Sequence, residues 1–82
     1  MAELDSLPAT LIGEASCYAC YGLSMYEIFK TAMLVRQARV ADPSANVSPT
    51  ALLALAKCYN CYGATNGQLF ELALLQIIAD AS

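Results

Sequence analysis

Residues 17–27 read CYACYGLSMYE and residues 58–68 read CYNCYGATNGQ, the same phrase stated twice, forty-one positions apart. Each phrase carries a helix stop and a helix start within a few residues. Gly22 and Gly63 stand where a left-handed residue closes a helix. Ser24 with Glu27, and Thr65 with Gln68, have the spacing of a capping box, in which side chain and backbone at a helix N-terminus satisfy each other's free amides. The connection is about two to four residues long, so each phrase predicts the corner of an antiparallel αα-hairpin.

Extending the comparison at the same offset aligns 6–41 with 47–82 without a gap, and twelve of the thirty-six positions are identical. Pro8 falls on Pro49, Leu11 on Leu52, Phe29 on Phe70, Ala32 on Ala73 and Leu34 on Leu75. Such self-similarity is the signature of a duplicated supersecondary unit. In the second copy Ser48 and Pro49 form an N-cap followed by proline at the first helical position, where the missing amide proton costs nothing. The helix that follows is expected to run through "TALLALAKC" and the CYNCY run to Gly63. The stretch ADPSANVSP, 41–49, has the composition of an exposed turn. The sequence therefore predicts an all-α chain of two tandem αα-hairpins, repeat 1 over 6–41 and repeat 2 over 47–82. A linker at 42–46 joins them into one small four-helix domain spanning 1–82.

Of the 82 residues, 59% are apolar and 13% charged, against a usual apolar share of about 45–50%. A domain this small buries only about 60–65% of the surface of its unfolded chain, so a surplus of apolar surface is expected to meet other protein. Lys57, Glu71 and Gln76 interrupt the apolar stretches, and no membrane span is expected. The net charge is −3, with no basic run and no histidine, which argues against a nucleic-acid partner. The opening stretch MAELDSLPATLIGEAS has acidic residues before any apolar run and no basic start, so no secretory signal is expected.

In repeat 1 the second helix is expected to turn Met25, Ile28, Phe29, Ala32 and Val35 or Met33 toward the core. Its counterpart in repeat 2 is apolar nearly all round, with only Glu71, Gln76 and Asp80 as a polar strip. That helix is expected to be covered both by its own fold and by a neighbouring subunit. The interface candidates are Tyr18, Tyr21, Tyr59, Tyr62, Phe70, Leu74, Ile77 and Ile78; packing between the hairpin tips is the other reading of the four tyrosines.

All four cysteines lie in the repeated phrase. Cys17, Cys20, Cys58 and Cys61 are candidates for structural disulfides, since cysteines three apart on a helix have α-carbons about 5–6 Å apart. Pairing within each motif and pairing between motifs are both open. Zinc held by all four cysteines is the alternative, although the gap from Cys20 to Cys58 exceeds the usual fifteen to twenty residues between zinc-binding pairs. Reduced thiols buried as small apolar groups are a third. A redox pair needs a helix N-terminus, whereas these pairs precede a helix stop, and a nucleophilic cysteine commonly needs a histidine, which the chain lacks. No paired carboxylates or phosphate loop is present, so a non-enzymatic protein without a cofactor, zinc excepted, is expected.

A helix ending in AKC, then cysteine–aromatic–x–cysteine–apolar, a short turn and the helix LFELALLQIIA resemble a class of short proteins encoded in tailed-bacteriophage genomes. The resemblance covers 49–79 best and 8–38 more loosely. Gly22 and Gly63 occupy a turn that commonly carries Pro or Glu/Lys in that class, and Val35 and Gln76 stand where a further cysteine often falls. The resemblance implies a virion structural protein: decoration, cement, collar, connector-associated or tail- or fibre-associated. Its partners would be further copies of itself or a larger virion protein, and its location the virion. A zinc-stabilised intracellular adaptor is the alternative. The twin-cysteine helical-hairpin chaperones differ, because they pair cysteines across two helices, whereas both motifs here lie at one helix end.

Overall fold

The computed structural model describes residue 13 and residues 15–82. Three α-helices and two 3-10 helices make up the described chain, which is all-α. A 3-10 helix, Ser16–Tyr21, leads into α1, Met25–Ala41; α2, Pro49–Leu55, leads through a second 3-10 helix, Lys57–Tyr62, into α3, Asn66–Ala81.

Both corners form as the local sequence predicts, and they form alike. Gly22 and Gly63 adopt left-handed backbone, φ +82° and +79°, a region that costs a residue bearing a Cβ about 1–2 kcal/mol. At α1 the Ser24 hydroxyl accepts from the Glu27 amide at 3.2 Å and the Glu27 carboxylate accepts from the Ser24 amide at 2.9 Å. At α3 Thr65 and Gln68 make the same two bonds at the same two distances. The linker is ordered by its own side chains. Asp42 Oδ1 accepts from the Ser44 amide and hydroxyl, and Asn46 Oδ1 accepts from the Ser48 amide. The Ser48 hydroxyl then caps α2 through the Ala51 amide, with Pro49 in the first turn.

The second copy is an α2–α3 hairpin whose two helices pack together. The helix expected to open repeat 1, beginning near Pro8, lies almost wholly outside the described residues, as does the opening stretch MAELDSLPATLI. What is described of repeat 1 matches repeat 2 element for element: 3-10 helix, left-handed glycine, capping box, long helix.

One expectation is corrected. The first helix of repeat 2 does not continue as an α-helix through the cysteines to Gly63. It stops at Leu55, Ala56 moves to φ −94°, ψ 12°, and the chain tightens into the 3-10 helix. Bonds from Tyr59 N to the Ala56 carbonyl and from Tyr18 N to the Ala15 carbonyl, both 2.9 Å, mark the i to i−3 pattern in each copy. Tyrosine, cysteine and asparagine are weak helix formers, and a 3-10 turn is a common way to close the last carbonyls of a helix.

The main packing surface lies between α1 and α3. Their first turns lie side by side, since a Cβ at Gly67 would collide with the Glu27 carboxylate. Further along, Lys30 Nζ lies 3.4 Å from Glu71 Oε2. Lys30 and Glu71 hold the same position in the two copies, so like positions meet across the interface, as around a twofold axis. The pair is partly exposed and contributes at most about 1 kcal/mol. Ala32 and its counterpart Ala73 are both buried, with Val35, Leu52, Leu69, Phe70 and Leu74 in the same core.

Among the described residues Thr31 is the one buried polar residue in that core, and its hydroxyl has no hydrogen-bond partner. Its counterpart in repeat 2 is Leu72. A buried hydroxyl left unpaired costs about 1–3 kcal/mol. The near-isosteric Thr31→Val is therefore expected to raise stability by about 1 kcal/mol, which moves the melting temperature up by about 4–8 °C. An unchanged or lowered melting curve by circular dichroism would contradict this.

Candidate functional site

The two corners share a backbone and part in their surroundings. Tyr18 is buried; its hydroxyl donates to the Val47 carbonyl in the linker, and its ring meets Phe70 edge to face at 4.9 Å. Tyr21 approaches the same ring at 5.4 Å and 90°. Asn66 Nδ2 donates to the Tyr21 carbonyl at 3.2 Å, tying this corner to the start of α3. The corner of repeat 1 is thus fastened down over Phe70. In repeat 2, Tyr59 is exposed and Tyr62 is 82% exposed.

The eight interface candidates therefore divide. Tyr18, Phe70 and Leu74 are enclosed within the chain, so none of them offers surface to a partner, and Tyr18 follows the internal-packing reading. Tyr21, Ile77 and Ile78 are half-buried against the core. Tyr59 and Tyr62 reach the surface, and Tyr62 borders an open cleft of about 490 Å³ with Gln68, Glu71, Leu72 and Leu75.

The core face of α1 keeps Ile28, Phe29, Ala32 and Val35 of the expected stripe and loses Met25. Thr31, Ala32, Val35 and Ala38 are its buried positions, whereas Met25 and Met33 are exposed. Tyr26, Met33 and Val40 lie on the outer side at 73%, 52% and 85% exposure. They recur every seven residues, the spacing of a seam between helices. Of the two residues offered for the last place on the inner stripe, Val35 takes it and Met33 faces outward.

All four cysteines are exposed and unbridged. Cys20 Sγ donates to the Cys17 carbonyl at 3.7 Å, and Cys61 Sγ to the Cys58 carbonyl at 3.5 Å, so the pairs repeat each other in detail. Their exposure departs from the buried-thiol reading. Among the described residues no three cysteine, histidine or acidic side chains gather where they could hold a metal ion together. Cys17 also borders an open cleft of about 430 Å³ beside Arg39 and Asn46.

No helix among the described residues is long and apolar enough to cross a membrane. Compared with protein-family models, curated proteins and solved structures, the chain matches none.

Proposed function

We propose that this chain is a structural component of a multi-copy protein assembly, and that the assembly is a bacteriophage virion. In it the chain would serve as a decoration, cement, collar, connector-associated or tail- or fibre-associated part. The observation that carries the assembly reading is the seam of Tyr26, Met33 and Val40 along the outer side of the longest helix. Apolar side chains at heptad spacing gain most when another helix covers them, and no element among the described residues covers these three. Exposed Tyr59 and Tyr62 add amphipathic contact area of the kind enriched at protein interfaces. The virion setting rests on the resemblance of the cysteine–turn–helix phrase to short tailed-phage proteins.

Two measurements test the proposal. Mass spectrometry of purified phage particles is expected to find the chain at high copy number, and its absence from the particles removes the virion setting. In solution, the purified chain is expected to self-associate at micromolar concentration in sedimentation velocity. The double substitution Met33→Glu with Val40→Glu is expected to weaken that association at least tenfold, about 1.4 kcal/mol. Because both side chains are exposed, the helical circular dichroism and melting temperature are expected to stay nearly unchanged. A monomeric parent protein, or a double variant that associates as strongly as the parent, would sink the seam.

A further inference from the structure

The geometry points to two independent soft-metal sites, one on each C-x-x-C turn: Cys17 with Cys20, and Cys58 with Cys61, each hold one monovalent d10 cation such as Cu(I) between two thiolates. The backbone decides how the sulfurs are presented. In a 3-10 helix residues i and i+3 eclipse, so the two cysteines of each motif stand one above the other on a single face. Three residues at about 2.0 Å rise separate their backbones, and hence their Cβ atoms, by roughly 6 Å. A disulfide needs its Cβ atoms about 3.5–4.5 Å apart, so bridging within a motif requires the turn to contract. A bound ion needs no contraction. Two metal–sulfur bonds, each about 2.3 Å if the zinc–thiolate length is taken as a guide, reach about 4.6 Å between sulfurs, a span that rotation about Cα–Cβ can supply from Cβ atoms roughly 6 Å apart.

Ligand number then selects the ion. Each turn offers two thiols, both exposed, and no third cysteine, histidine or carboxylate joins them in a metal-holding group among the described residues. Zinc in a protein site takes four ligands, and two thiolates leave half of its shell to water. A soft monovalent ion is satisfied by two thiolates in a near-linear arrangement, and thiolate softness favours it. The sulfur–carbonyl contacts, 3.7 Å in the first turn and 3.5 Å in the second, fold the later sulfur back toward the earlier residue in both copies. Binding replaces two S–H bonds by two S–Cu bonds and releases two protons per ion, with no change of oxidation state.

The full-length chain, reduced and handled without oxygen, is titrated with Cu(I) supplied as its bicinchoninate complex. Chelator colour and native mass spectrometry read the ions withdrawn. Two ions per monomer are expected. Cys17→Ser with Cys20→Ser, and separately Cys58→Ser with Cys61→Ser, are each expected to keep one ion, and the fourfold serine variant none. X-ray absorption at the copper edge is expected to show two sulfur neighbours per ion. All four thiols are on the surface, so the serine variants are expected to retain the parent's circular dichroism, which separates loss of a site from loss of fold. One ion per chain abolished by either double substitution would mean a shared four-sulfur site and overturn the proposal. So would three or four sulfurs per copper, ions found only in chain dimers, or no ion withdrawn from the chelator.

Discussion

Phe70→Ala is expected to destabilise the chain by about 3–5 kcal/mol, lowering the melting temperature by roughly 12–40 °C. Phe70 is fully enclosed, and the rings of Tyr18 and Tyr21 both rest on it edge to face. Removing it takes away the largest side chain of α3 and also the seat of the repeat 1 corner. Aromatic pairs of this kind contribute about 0.5–1.5 kcal/mol beyond their buried area, and two are lost together. Small domains are stable by only about 5–15 kcal/mol, so much of the total is at stake. Phe29, the same position in repeat 1, is only half-buried, and Phe29→Ala is expected to cost less than half as much. Urea titration of both variants decides it; equal losses would mean that the two copies share the core evenly.

Leu74→Ala is the second large effect, at about 2–5 kcal/mol. Leu74 is fully buried, and a shortened side chain there leaves a cavity that the neighbouring backbone cannot close. Its counterpart Met33 sits 52% exposed on the outer side of α1. Met33→Ala is expected to fall within about 0.5 kcal/mol of the parent. The contrast makes the pair informative: the same repeat position carries core packing in one copy and the surface seam in the other. A Leu74→Ala protein that melts with the parent would remove α3 from the centre of the fold.

The corners were legible in the sequence because the forces that make them act over three or four residues. Gly22 and Gly63 supply left-handed backbone, Ser24 and Thr65 receive an amide three positions on, and Pro49 follows its N-cap. None of these needs a distant partner, and each forms as expected in the described chain. The form of the cysteine turns is less legible for a related reason. Whether a helix end closes as α or 3-10 turns on a small energy difference, and side-chain pattern alone does not decide it. Yet that choice sets how Cys17, Cys20, Cys58 and Cys61 are presented on the surface.

The sequence by itself determined that the chain is helical, that its corners come in a matched pair, and where each long helix begins. Only the tertiary structure decided which copy's side chains fill the interior. Tyr18 and Tyr59, Phe70 and Phe29, Leu74 and Met33 are twins or near-twins in the alignment, but a core this small has room to enclose one member of each pair. Tyr18 takes the inner place because the linker brings the Val47 carbonyl to its hydroxyl and α3 brings Phe70 to its ring. Those contacts join residues 29 and 52 positions apart. Local periodicity carries no record of them, since helix propensity and capping are blind to which of two equivalent faces long-range packing will cover.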